Sequence, residues 1–173
     1  MLVNQTPAWA FGLPGQNVLF VDPGITGTGL ALFAPLDGSK PIRHEARMGS
    51  TYPGDWQDRA HYLKDWFAET IFILRKHLIH RVVIEMPRTF GSAKSYAATL
   101  EGSLSKLVFL IGLYDSEVVR HVGRRSILVE PDVWKGQLPK KVMDGRIARE
   151  GWGKYSNHTS DAVGMGLAAL GRL

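Results

Sequence analysis

The sequence predicts an α/β domain built on a mixed five-stranded sheet, three strands antiparallel followed by two parallel, flanked by helices. Two observations carry that prediction. Three apolar runs follow one another with only hairpin-length joints, which gives an antiparallel meander. Thereafter short apolar runs alternate with stretches of helical period, which gives strands linked by helices.

The first strand covers 17–22. Val18 to Val21 run without a polar break and end on Asp22, as suits a strand buried on both faces. That acid belongs at the strand's end, on a floor open to water or metal, because an isolated buried charge is too costly. Gly24, Gly27 and Gly29 are expected to let the chain reverse tightly into a second strand over 28–35. Asp37-Gly38 marks a turn, and a third strand covers 41–48. Pro53-Gly54 ends the meander. Apolar residues from Tyr62 to Leu74 recur at helical spacing, with Asp55 as N-cap, and predict a helix over 56–77. Arg81 to Glu85 forms a fourth strand that again ends on an acid, and Pro87 stops it.

A second helix is expected over 92–114, rich in small residues (Ala93, Ala97, Ala98, Gly102, Gly112), with 115–121 continuing or restarting it. It serves either as a core helix or as an interface between two copies. Ser126 to Glu130 reads as the fifth strand. Pro131 opens a helical turn carrying Trp134 and Lys135, 140–149 is a short basic helix, and 159–170 is a final apolar helix. Residues 1–16 form an N-terminal extension in which Trp9 and Phe11 are the residues able to pack on the domain proper, 17–173.

Composition narrows the class. The chain has 173 residues, 45% of them hydrophobic, which suits one domain with a real core. Lys and Arg number 21 against 16 Asp and Glu, a net charge of +5; this suits a polyanionic partner without identifying one. The absence of cysteine excludes disulfides and thiolate metal sites. No apolar run reaches the roughly 18 residues of a membrane span, and no leader pattern opens the chain, so a soluble, cytoplasmic protein is expected.

Three places put oxygen or nitrogen ligands at the ends of elements: Asp22, Glu85, and the pair His158 and Asp161, which share a face three residues apart on the last helix. Taken singly each has a plain reading, as a turn acid, a strand-end residue, a backbone-bonded histidine or a first-turn acid. Taken together, carboxylates converging from separate elements need cations, and hard oxygens suit Mg²⁺ or Mn²⁺. Two such ions would clamp the attacking and leaving oxygens of a phosphodiester displacement.

Asp22-Pro-Gly-Ile-Thr-Gly-Thr-Gly-Leu-Ala, then Val82-Val-Ile-Glu85, then His158-x-x-Asp161-Ala-Val-Gly-Met-Gly-Leu resembles the RuvC-type Holliday junction resolvases of the ribonuclease H-like superfamily, most closely their bacteriophage-encoded branch. Glu130-Pro-Asp-Val-Trp-Lys135 with Lys140 and Lys141 is similar to the family's lysine-bearing segment. The resemblance implies a Mg²⁺-dependent crossover junction endodeoxyribonuclease. It would act as a homodimer on four-way or other branched DNA, in recombination and repair, within the host cytoplasm if phage-encoded. It assigns Asp22, Glu85, His158 and Asp161 to catalysis and metal binding, with Mn²⁺ able to substitute, and adds Lys135 to catalysis. Since imidazole ligates when neutral, metal binding should weaken below the His158 pKa.

Lys135, Lys140 and Lys141 would approach DNA. Beside Glu85, Arg88 is a candidate phosphate contact, and Phe90 a candidate base-stacking residue or a buried loop anchor. Two rival readings remain: a non-catalytic branched-DNA-binding protein, and a related nuclease for other branched DNA or RNA–DNA hybrids. The glycine turn is also similar to phosphate loops of actin-like ATPases, but those need a second half that this length excludes.

Overall fold

The structure, a computed structural model, describes residues 7–48, 54–88, 101–152 and 155–173. The sheet holds β1 (Val18–Asp22), β2 (Gly27–Phe33), β3 (Ile42–Arg47), β4 (Arg81–Glu85) and β5 (Ile127–Val129), in the order β3-β2-β1-β4-β5. β1–β2 and β2–β3 are antiparallel, while β1–β4 and β4–β5 are parallel. The mixed sheet expected from the sequence is therefore the one observed.

Every residue of β1 and β2 is buried, and the period of two divides them between two cores. Val18, Phe20, Ala31, Phe33 and Val83 face one side, and Leu19, Val21, Leu30, Leu32, Val82 and Ile84 face the other. The second side is covered by α1 (Trp56–Leu74) and α2 (Ser103–Val122) through Leu63, Phe67, Ile71, Leu110 and Tyr114. The first side is covered by α5 (Asn157–Ala169), supported by the short α3 (Pro131–Trp134) and by α4 (Lys140–Arg149).

Local signals set the helix boundaries. The Asp55 side chain accepts from the backbone N–H of Gln57 and Asp58, and Asp58 accepts from the Asp55 N–H, a reciprocal cap. α1 ends at Leu74, and residues 75–77 tighten into a 3₁₀ turn. α2 runs unbroken to Val122, so 115–121 continues the helix; Gly123, at φ 75°, ends it. Of the range expected for this helix, 92–100 lies outside the described residues, and 101–102 form a turn ahead of Ser103. α5 begins two residues before the expected 159 because the Ser156 hydroxyl accepts from the Thr159 N–H.

Residues 8–10 form a single 3₁₀ turn that buries Ala10, with Leu13 beside it and Trp9 packed against the same core. Phe11 does not pack: it is 89% exposed. Its neighbours on the turn take the inward positions instead.

The structure changes the meaning of the glycines after Asp22. Neither Gly24, Gly27 nor Gly29 has a positive φ, so none is there to permit a reversal that other residues cannot make. They make room. A Cβ on Gly29 would stand 2.2 Å from the carbonyl carbon of His158 and 2.3 Å from the Thr159 nitrogen. A Cβ on Gly24 would stand 2.7 Å from His158 Cε1. Further along α5, a Cβ on Gly166 would meet the Phe33 ring at 2.2 Å. The last helix thus lies directly on the backbone of β2. Gly29→Ala must push the start of α5 outward, and is expected to cost about 1–3 kcal/mol, read as a melting temperature lowered by several degrees. An unchanged melting temperature would mean that the helix start does not bear on the strand.

Candidate active site

Asp22 and Glu85 end β1 and β4. Because those strands are parallel, with Val21 beside Ile84, both acids emerge at the same edge of the sheet. Asp22 shares its side with Val18 and Phe20, and Glu85 shares its side with Val83, so both point to the side covered by α5. β1 is also where the chain order reverses, with β2 on one flank and β4 on the other. Crevices beyond the carboxyl ends of strands at such a point are the usual ligand sites of α/β sheets. The first turns of α5 bring His158 and Asp161 to this crevice.

Each acid has a partner. His158 Nδ1 lies 2.8 Å from Asp22 Oδ2; with that nitrogen protonated, the ring donates to the carboxylate. Trp134 Nε1–H donates to Glu85 Oε2 at 2.9 Å. Lys140 forms a close ion pair with Asp161, and its ammonium also donates to the Asn157 carbonyl at 3.2 Å. Lys135 Nζ stands 3.5 Å from the other Asp161 oxygen. Asp144, one turn after Lys140, accepts from Ser160 Oγ at 2.5 Å and so ties α4 to α5.

The acids also act on one another. Burial pushes the Asp22 pKa up, against the pull of His158, and the Asp161 charge pushes it the same way. Burial, followed by the Asp22 charge, pushes Glu85 up to about 7, with Lys135 and the Trp134 hydrogen bond opposing. The hydrogen bond to Asp22 raises the His158 pKa against its burial. Three carboxylates, from β1, β4 and α5, thus sit within one another's electrostatic reach.

The sequence-named residues fall into three groups. Asp22, Glu85, His158, Asp161, Lys135 and Lys140 come together. Lys141 is exposed on the first turn of α4. Arg88 forms a close ion pair with Asp132 beyond the end of β4. Phe90 lies outside the described residues. The sequence reading passed over two polar features. Trp134 was placed on a helical turn with no tie to Glu85. Thr28 and Tyr114 share a buried 2.7 Å hydrogen bond that fastens β2 to α2. The only signal for either was a polar-tipped aromatic in an apolar setting, which needs a partner when buried.

As they stand, no three His, Asp or Glu side chains among the described residues are arranged to hold one metal ion. Protein cations and the indole already occupy the carboxylates. The donor chemistry nonetheless fits a hard divalent ion: oxygen ligands with one imidazole, at raised pKa values that a cation would lower.

A scan against protein-family models finds no match, and no curated protein matches the sequence. Solved structures do match. Thermus thermophilus RuvC in complex with Holliday junction substrate is 18% identical, with a TM-score of 0.64, over 88% of this chain and 91% of that one. A second Thermus thermophilus RuvC structure gives 16% and 0.62, over 87% and 91%. The yeast mitochondrial Holliday junction resolvase Ydc2 gives 14% and 0.44, over 92% and 80%, too loose a likeness to argue from. At these identities the likeness is one of fold, and the chain has the ribonuclease H-like fold of RuvC.

The raised pKa values set a stability trend without metal. A group raised in the folded state stabilises below its unfolded pKa and loses that contribution as pH rises through its folded one. For Glu85 the window runs from 4.5 to about 7. In chelator the protein is expected to be less stable at pH 8 than at pH 5, with Glu85 contributing on the order of 1–3 kcal/mol of the difference. Glu85→Gln should shrink the gap in denaturant midpoints between the two pH values; a gap of the same size in the variant would refute the assignment.

Proposed function

We propose that this protein is a divalent-metal-dependent, structure-selective endonuclease that resolves four-way DNA junctions by paired cuts in opposed strands. The observation that carries the reading is the convergence of Asp22, Glu85 and Asp161 at one sheet edge. They sit in the fold shared with a protein solved on a Holliday junction substrate. Mg²⁺ is the proposed ion, with Mn²⁺ as a substitute, and a homodimer is the proposed assembly, since two symmetric cuts fit a twofold protein. Among the described residues no helix is long and apolar enough to cross a membrane, in keeping with a DNA substrate met in the cytoplasm. A bacteriophage source remains part of the proposal.

Asp22, Glu85 and Asp161 would hold the ion, with His158 as a fourth donor. The chemistry such an ion supplies is stabilisation of the charge that develops on the attacking and leaving oxygens. His158 orients Asp22. Lys135, within reach of Asp161 and lowering the pKa of both Asp22 and Glu85, can neutralise charge at the scissile phosphate. Lys140 and Lys141 open α4 beside it and can take the flanking phosphates.

The internal pairing of every carboxylate also favours a second reading, a branched-DNA-binding protein that does not cut. One assay separates them, and separates both from nucleases for flaps or hybrids. Synthetic four-way junction, flap and RNA–DNA hybrid are incubated with Mg²⁺ and the cuts mapped on every strand. Symmetric nicks in opposed junction strands are expected. Binding without cleavage in either Mg²⁺ or Mn²⁺ would establish the non-catalytic reading.

Asp22→Asn should keep junction affinity and lower cleavage by at least about 10³-fold; a near-normal rate would remove Asp22 from the chemistry. His158→Asp should stay active and keep more of its activity at acidic pH than the wild type. Asp22 raises the histidine's pKa, so the protonated form that competes with metal persists to higher pH than in a free imidazole. Parallel pH–rate profiles for the two proteins would overturn this.

A further inference from the structure

We propose that Trp134 is a positioning residue for Glu85: its indole N–H holds one carboxylate oxygen and leaves the other presented to a divalent cation in a fixed direction. The inference rests on the metal-dependent reading above and goes beyond it by naming what presets one ligand.

The hydrogen bond is 2.9 Å long, from Trp134 Nε1 to Glu85 Oε2. Its donor has little freedom. Trp134 is 6% exposed and sits in the core beneath α5. A Cβ on Gly164 would stand 3.0 Å from its Cζ3 and 3.2 Å from its Cη2, so the α5 backbone lies against the ring. Lys135 Nζ lies over the ring, 4.8 Å from its centroid. With the ring held this way, the N–H has a single direction, and Glu85 is the acceptor in that direction.

Packing alone does not call for tryptophan. A phenylalanine ring would fill much of the same space, whereas an indole buried without an acceptor leaves an unsatisfied donor. The choice makes sense if the N–H is used.

Trp134 differs in kind from the other partners of the site. His158 on Asp22 and the lysines on Asp161 can carry positive charge, so they compete with a cation for the same carboxylates. The indole is a neutral donor. It orients Glu85 without placing a competing positive charge on it. Outer hydrogen bonds of this kind typically change metal affinity 10–100-fold when removed.

The test measures Mn²⁺ binding without DNA, by the electron paramagnetic resonance signal of the free ion, in wild type, Trp134→Phe and Met143→Ala. Met143→Ala opens a cavity in the same core and keeps the indole and its N–H donor. Trp134→Phe is expected to weaken Mn²⁺ binding 10–100-fold. Met143→Ala is expected to lower the melting temperature and to lose far less Mn²⁺ affinity than Trp134→Phe, since the N–H donor is retained.

Wild-type affinity in Trp134→Phe, or equal weakening in Met143→Ala, overturns the positioning role. A wild type that binds no Mn²⁺ instead overturns the metal-dependent reading beneath it. Should Trp134→Phe fail to fold, the indole N–H resonances of the five tryptophans decide. One of them should shift on saturation with Mg²⁺, and the same one should shift in Glu85→Gln. Five unmoved resonances overturn the proposal.

Discussion

The close approach of α5 to β2 is the contact on which the site depends. The acids at the ends of β1 and β4 are fixed by sheet register and need no help to lie side by side. The helix that brings His158 and Asp161 has no such register. Its place is set by van der Waals contact between its first residues and the bare backbone of Gly29, and by Gly166 against the Phe33 ring. Any side chain at Gly29 would lift the helix start. His158 would then lose Asp22, which is only a hydrogen bond away. The glycines after Asp22 are therefore part of the site's geometry although none of them offers a functional group.

The energetics of the site follow from that crowding. Three carboxylates drawn together cost free energy unless cations or hydrogen bonds answer them. Here the answers are local and of two kinds. Lys135, Lys140 and His158 can supply positive charge, while Trp134 supplies a neutral hydrogen bond. The residual imbalance falls on Glu85 and Asp22, the two acids without a lysine of their own, and burial is the larger cause of both shifts. A site built this way has an electrostatic reason to accept a cation.

Much of this was legible in the sequence, and the parts that were not have a common cause. Val18–Val21 showed two-sided burial because four apolar residues in a row can satisfy both faces of a strand. Asp22 and Glu85 could be read as a pair because each closes an apolar run. His158 and Asp161 could be joined by helical spacing. The glycines were misread because a one-dimensional pattern distinguishes a turn from a close approach only if the neighbour is known, and the neighbour of Gly29 is well over a hundred positions away. Trp134 was missed for the same reason: its acceptor, Glu85, lies 49 positions away at the end of β4. Phe11 was credited with packing on its hydrophobicity alone, whereas a single 3₁₀ turn has room to face only Ala10 and its nearest companions inward.

The basic surplus is the feature that means least until it is placed. A net charge of +5 invites the picture of a free cationic surface, yet Arg88 pairs with Asp132, and Lys135 and Lys140 pair with Asp161. Such pairing does not disqualify a lysine from meeting DNA. For the lysine, exchanging a carboxylate for a phosphate replaces one charge-assisted contact with another. The balance is different for Asp161, whose side chain is largely buried at 13% exposure and cannot be left bare. A lysine can leave it for a phosphate only if another cation takes its place. On the proposed nuclease reading, an ion held by Asp161 would also free the lysines for the substrate, which would tie metal and DNA to the same few side chains.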